Sequence, residues 1–288
     1  RAELLTFEEI ERVARLLVER HGIDSIRLTG GEPTVRADLR RLVAMLSALG
    51  ADLALTTNGS TLELAASGLA DAGLKRINVS LDSLRADRFA ELTLRDELGR
   101  VLNGIDAALA AGLDPVKVNV VVMRGVNDDE LVDFARFGRD RGVMVRFIEF
   151  MPLDSDKVWE RDKVLFGHEI IDMVKENYEL IPIDNSLEIG PASEYNFADG
   201  KGKIGIITAV SNPFCDHCNR IRMTADGKLR TCLFSTNETN LKELIRSGAT
   251  DETIIETIKQ AVLVKEPGHK INLDDFERPD RAMHAIGG

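Results

Sequence analysis

Ser25-Ile26-Arg27-Leu28-Thr29-Gly30-Gly31-Glu32-Pro33 is the stretch on which the fold turns. Four residues of strand character run into a Gly-Gly turn, and beyond the proline Leu39, Leu42, Val43 and Leu46 recur at helical spacing. Strand, turn and helix make one unit of a parallel α/β fold. Upstream, Thr6-Phe7-Glu8-Glu9 is a capping box, and Ile10, Val13, Ala14 and Leu17 share one face of the helix it opens. Downstream the unit recurs. The spacing predicts strands at 53–57, 76–81, 116–123 and 143–150, with helices over 62–72 and 98–111 and a third opened by the box Asn127-Asp128-Asp129-Glu130. Five alternations without a Rossmann glycine fingerprint predict an α/β fold, an incomplete (β/α) TIM-type barrel spanning 1–152. A doubly wound open sheet is the alternative.

Polar residues gather where each predicted strand ends: Gly30-Gly31-Glu32, Thr56-Thr57-Asn58, Ser80 with Asp82, Asn119 beside Lys117, and Glu149 ahead of Met151. One such group is a turn or a cap; five in succession predict a site at the carboxyl end of a barrel. From Leu153 the pattern changes. Apolar runs shorten, Gly200, Gly202 and Gly205 punctuate hairpins, and two helices are expected near Leu241–Ile245 and Ile254–Val262, the second capped by Thr250. Residues 153–288 therefore read as a smaller α+β domain. The end, Ala285-Ile286-Gly287-Gly288, reads as a frayed tail unless something binds it.

All three cysteines fall in that second part, as Cys215-x2-Cys218-x13-Cys232. The spacing suits one metal centre, yet three thiolates are one short of a closed tetrahedral zinc site, and His217 lies awkwardly inside the loop. An iron–sulfur cluster on three thiolates leaves one iron open to a small ligand. Arg220 and Arg222 follow at alternate positions, so on a strand both would project from one face and favour an anionic, phosphorylated ligand. The plain reading, buried thiols and a solvated arginine face, suits scattered cysteines better than this spacing. An odd cysteine count argues against a disulfide framework and for a reducing, cytoplasmic setting. The chain has 288 residues, 44% hydrophobic and 30% charged, with a net charge of −11. That charge speaks against nucleic acid or an anionic membrane as partner, and no apolar run is long enough to span a bilayer.

Gly30-Gly31-Glu32-Pro33, Thr56-Thr57-Asn58-Gly59, Asn78-Val79-Ser80-Leu81-Asp82-Ser83, Val122-Met123-Arg124-Gly125-Val126-Asn127, Arg146-Phe147-Ile148-Glu149-Phe150-Met151-Pro152, the cysteine block and the Gly287-Gly288 end together resemble the GTP 3′,8-cyclases of molybdenum cofactor biosynthesis, in the radical S-adenosylmethionine superfamily. The resemblance runs from Leu5 to Gly288. It implies a lyase with two [4Fe-4S] clusters and S-adenosylmethionine, in which a 5′-deoxyadenosyl radical takes the 3′ hydrogen of GTP and C3′ then joins C8 of guanine. It further implies Gly31, Ser80 and Met151 as S-adenosylmethionine contacts. Arg27, Thr56, Lys117, Arg220 and Arg222 become GTP contacts, Cys215, Cys218 and Cys232 the ligands of the second cluster, and Gly287 and Gly288 a catalytic tail. A homodimer and a downstream cyclic pyranopterin monophosphate synthase are implied partners. The family's Cys-x3-Cys-x2-Cys loop for the first cluster does not stand in these 288 residues. The expectation is that an N-terminal segment and first barrel strand belong ahead of Arg1, without which the chain as written would be inactive. Ser25 stands where the family often has lysine, leaving one charge fewer near the triphosphate. The remaining alternatives are a peptide-modifying enzyme of the same superfamily and a zinc-stabilised nucleotide-binding module.

Overall fold

The computed structural model describes residues 3–154, 158–184 and 190–287. In chain order its elements are α1 (Phe7–His21), β1 (Ser25–Leu28), α2 (Leu39–Ser47), β2 (Asp52–Thr57), α3 (Leu62–Asp71), β3 (Arg76–Ser80), α4 (Ala86–Thr93), α5 (Leu98–Ala110), β4 (Val116–Val122), α6 (Leu131–Arg141), β5 (Met144–Glu149), α7 (Gly167–Lys175), β6 (Leu180–Pro182), β7 (Ser193–Phe197), β8 (Lys203–Ile207), β9 (Arg222–Met223), β10 (Lys228–Arg230), β11 (Thr239–Asn240), α8 (Leu241–Arg246), α9 (Asp251–Leu263) and α10 (Met283–Ile286). The chain divides into two compact units. One holds 1–56, 68–75 and 219–288, the other 57–67 and 76–218.

In the first unit β1 and β2 pair in parallel, Arg27 opposite Ala54. The Thr6 capping box forms as expected: the Thr6 hydroxyl accepts the Glu9 N–H while the Glu9 carboxylate accepts that of Thr6. The buried face of α1, with Val13 and Leu16, packs against Leu229, Leu241, Ile245, Ile254 and Ile258. Each such fully buried side chain contributes about 1.5–3 kcal/mol. The pairs Arg12–Asp251 and Arg246–Glu9 fix the register of α1 against α9 and α8. A three-stranded antiparallel sheet, β11-β10-β9, completes the unit. Thr250 caps α9, as its position predicted.

In the second unit β3, β4, β5 and β8 run parallel, and β7 and β6 add antiparallel strands beyond β8. Alternation sorts this sheet's side chains. Ile77, Val79, Val118, Val120, Val145, Phe147, Ile204 and Ile206 are at most 1% exposed, all on one face. Residues of the other parity, Asn78, Ser80, Lys117, Asn119 and Arg146, put polar groups on the opposite face. The β7–β8 hairpin turns through Gly200 and Gly202, both left-handed, as the glycine spacing predicted, but Gly205, expected to punctuate a hairpin too, lies inside β8 between Arg146 and Glu194, where the strand needs room and not a turn.

Two local expectations are corrected. Asn127-Asp128-Asp129-Glu130 is no capping box: 128–130 form a 3-10 turn, no side-chain cap opens α6, and both polar ends of the motif are used elsewhere. The Asn127 amide donates to the carbonyls of Asp82 and Val121 and accepts the Met123 N–H, while Glu130, fully buried, accepts from the Ser83 hydroxyl and Leu84 N–H and pairs with Arg88. These donors come from the chain ends after β3 and β4, and buried strand termini need partners more than an exposed helix start does. The second correction is at Arg220. Only Arg222 lies in a strand, so the pair does not share a strand face.

Candidate functional site

The polar face of the second unit's sheet is built in rows. Ser80, Asn119, Arg146, Gly205 and Glu194 stand in register across β3, β4, β5, β8 and β7, and Asn78 and Lys117 form the row beside them. Arg146 is 5% exposed and donates at 2.9 Å to the side-chain oxygens of both Asn119 and Asn78. A Cβ at Gly205 would stand 2.9 Å from Met144 Cε and 3.2 Å from Arg146 Cγ, so the missing side chain there makes room for the arginine. Lys117, half-buried next to this fixed cation, has its amine pushed down to about 8. Burial is the main cause, followed by repulsion from Arg146, with Glu194 pulling the other way. The result is a recessed cationic surface on which an anion would relieve the repulsion.

Glu149 does not belong to that face. It is fully buried, and its carboxylate accepts the N–H groups of Gly167, Val210 and Ser211 and the Ser211 hydroxyl. It fastens the start of α7 and the loop after β8, upstream of Cys215. Asp82 likewise serves the backbone, accepting the Val121 N–H at 2.8 Å, and burial lifts its carboxyl to about 6. Met151 lies half-buried just after β5, and Ser80, at the end of β3, is exposed. Cys215 opens a 3-10 turn closed by the Cys218 N–H on the Cys215 carbonyl at 3.0 Å, which leaves both thiols half-buried at its two ends.

In the first unit, Arg27 and Thr56 fall on one face of the β1–β2 pair, because Arg27 registers with Ala54 and Thr56 stands two residues on. Gly30, at the end of β1, has φ +143°, which demands glycine for conformation. Gly31 does not, and a Cβ there would meet no protein atom within 4 Å, so the backbone is open to approach on that side. The tail arrives at this place. α10 buries Ile286 completely, and Gly287, at φ +92°, would put a Cβ 3.4 Å from Thr29 Cγ2, next to the Gly30-Gly31 turn. Gly288 lies outside the described residues.

The hairpin of β9 and β10 carries the remaining predicted groups. Arg222 registers with Arg230, and Cys232 follows two residues later, half-buried and free. The Arg220 carbonyl accepts Lys265 Nζ at 3.1 Å. Cys232, Ser235, Glu266, His269, Phe234 and Phe276 face a cavity of about 310 Å³. Within either unit, among the described residues, no three His, Cys, Asp or Glu side chains gather at metal-ligand spacing; Cys215 and Cys218 belong to one unit and Cys232 to the other. Cys215, Cys218 and Cys232 form no disulfide, and a cysteine motif one ligand short of a closed tetrahedral set suits an iron–sulfur cluster better than structural zinc. Arg146, Asn78 and the buried role of Glu149 escape the sequence reading. Their only signal is the odd occurrence of polar residues inside otherwise apolar strands.

Comparison with known proteins is consistent with this arrangement. Residues 1–138 match the family model of the radical SAM superfamily, and 143–271 match that of Molybdenum Cofactor Synthesis C. A protein of Rhodopirellula baltica named GTP 3′,8-cyclase is 47% identical over 293 aligned positions, covering 100% of this chain and 82% of its own length. Its namesake from Corynebacterium glutamicum strain ATCC 13032 is 43% identical, over 99% of this chain and 79% of its own. Among solved structures, Streptococcus suis SuiB bound to S-adenosylmethionine superimposes with a TM-score of 0.62 at 16% identity, covering 96% of this chain and 69% of that one. At that identity the likeness concerns the fold alone. No helix among the described residues is long and apolar enough to cross a membrane.

Proposed function

The chain belongs to the GTP 3′,8-cyclase family of radical S-adenosylmethionine enzymes in molybdenum cofactor biosynthesis, and we propose how its residues serve that reaction. The fold is the incomplete (β/α) barrel of that superfamily with a further C-terminal domain, which we place at 1–152 and 153–288. The full-length identity removes the peptide-modifying and zinc-module alternatives. S-adenosylmethionine and a [4Fe-4S] cluster come with the superfamily; that there are two clusters, the second on Cys215, Cys218 and Cys232, is our proposal.

When bound, S-adenosylmethionine with its reducing cluster supplies the radical that removes the 3′ hydrogen of GTP. The chain's residues bind and orient. Gly31 leaves its backbone open to the methionine end of the cofactor, while Ser80 offers a hydroxyl and Met151 an apolar surface to the remainder. Lys117 donates to the triphosphate, joined by Arg27, Thr56, Arg220 and Arg222. Arg146, held rigid by Asn78 and Asn119, keeps the Lys117 surface positive without bending toward the ligand. Gly287, beside Thr29, brings a tail without side chains to the Gly30-Gly31 turn. We further propose a homodimeric cytoplasmic enzyme whose product passes to a cyclic pyranopterin monophosphate synthase.

The observation that carries these roles is the depressed Lys117 amine beside an immobilised arginine on the polar face of the sheet. Anaerobic iron and sulfide analysis with GTP titration tests the assignment. Cys232→Ala is expected to lose the second cluster. Arg222→Ala is expected to keep iron and bind GTP roughly 10- to 100-fold more weakly, as loss of charge-assisted bonds worth about 1.5–3 kcal/mol requires. Unchanged GTP affinity in the arginine variant would remove the phosphate role.

A further inference from the structure

The segment from Asp280 to Gly287 has little regular structure to hold it. α10 is four residues long, and the backbone bonds of Ala285 and Gly287 reach only to Ala282 and Met283. Such a segment frays unless side chains tie it to something rigid. Arg281 supplies the tie. Its guanidinium forks onto Asp226, at 3.2 and 2.9 Å, and also reaches Glu238, at 2.8 and 3.1 Å. Neither partner is loose. Asp226 sits in the β9–β10 turn and accepts the Thr224 hydroxyl at 2.6 Å, while Glu238 accepts Arg230 Nη1 at 2.6 Å. Arg230, 3% exposed, donates through Nη2 to the Ser235 carbonyl, and the Ser235 N–H bonds back to the Cys232 carbonyl at 3.3 Å. Charges alternate along the row Asp226, Arg281, Glu238, Arg230, so each cation lies between acceptors.

We propose that Arg281 is the positioning residue of the C-terminal tail: it straps the tail to the hairpin that bears Arg222 and leads to Cys232, and so sets Gly287 against Thr29. The inference rests on the reading that the tail acts in the reaction, and adds what holds it in place. The same strap makes tail order depend on the Cys232 loop, because loosening 231–235 releases Arg230, then Glu238, then Arg281. Neither end of the strap touches GTP or S-adenosylmethionine in this assignment.

Hydrogen–deuterium exchange of the full-length, cluster-loaded enzyme tests it, with Arg281→Gln, Arg281→Lys and Asp226→Asn compared. In Arg281→Gln the amides of 282–287 and 29–31 are expected to exchange roughly tenfold faster or more, because local opening follows the lost charged contacts. Turnover falls while the dissociation constants for GTP and S-adenosylmethionine stay at the wild-type values. Arg281→Lys, which keeps charge but not the fork, recovers part of both losses, and Asp226→Asn reproduces them from the other side. Unaltered exchange over 282–287 in Arg281→Gln overturns the proposal, as does equal loss of ligand binding in all three variants, which would mark a general collapse. A variant lacking Gly287 and Gly288 that turns over normally would refute the tail's part in the reaction, yet leave the exchange result to decide the strap.

Discussion

Replacing Lys117 by Met should make the protein more stable and a poorer binder of GTP. The amine titrates near 8 where an exposed lysine titrates near 10.5, so the folded state holds that proton less tightly than the unfolded chain does. Between pH 8 and 10.5 the unfolded chain carries a proton the folded protein has shed, and stability rises with pH across that window. Below pH 8 both states are charged, and the folded protein bears the whole penalty. A shift of this size corresponds to about 3 kcal/mol. Lys117 keeps part of its hydration, and screening reduces the figure to about 1–2 kcal/mol. Methionine fills similar volume without charge, so the ligand-free variant should melt about 2–8 °C higher. Bound triphosphate reverses the balance, since its charge offsets the burial that chiefly depresses the amine and neutralises the added repulsion from Arg146, Lys203 and Arg76. The variant should then bind GTP roughly 10- to 100-fold more weakly. Wild-type affinity should decline as pH passes 8, while the variant shows no such step. Calorimetric melting with and without GTP, combined with binding isotherms from pH 6.5 to 9.5, reads all of this. A variant that melts at or below the wild-type temperature and binds GTP equally well would refute the reasoning.

Three other perturbations separate structural from ligand-facing roles. Gly31→Ala meets no protein atom, so its unfolding free energy should stay within about 1 kcal/mol of wild type while S-adenosylmethionine affinity, read by equilibrium dialysis, drops tenfold or more; a stability loss with intact binding would contradict the open approach at Gly31. Glu130→Ala takes the carboxylate away from the Leu84 N–H and the Ser83 hydroxyl and leaves a buried void, while Arg88 keeps Asp129, so urea unfolding should show about 1–3 kcal/mol less stability. Glu149→Gln keeps the shape but cannot accept every one of its bonds, so amide exchange should quicken over 208–214 and iron should leave the Cys215–Cys218 turn faster on chelator challenge; identical release rates would show that this clamp does not support the turn.

What the residues alone determined is whatever short-range chemistry encodes. The Thr6 box, the Thr250 cap, the glycine turns of the β7–β8 hairpin and the strand–helix alternation are written within about one helical turn or one strand alternation each, and all form where expected. The motif set also sufficed to place the chain in its family. The helix at Ala86–Thr93 was not legible, because its N-cap position, Arg85, makes no side-chain cap and its start follows buried bonds to Glu130.

Tertiary structure decided the use of each polar group. Asn127 and Glu130 look like a cap and instead fasten strand ends 45 to 47 residues away. Glu149 looks like a site residue and is a buried clamp, whereas Arg146, hidden inside an apolar strand, adds its charge to the burial that depresses Lys117. A residue's own type sets what it can bond, but register and burial, which depend on strands far apart in the chain, set which partner is near and how costly it is to leave that bond unmade. The tail obeys the same rule: four helical residues and a glycine have no intrinsic reason to be ordered, and they are placed beside Thr29 by the body against which Ile286 and Arg281 pack.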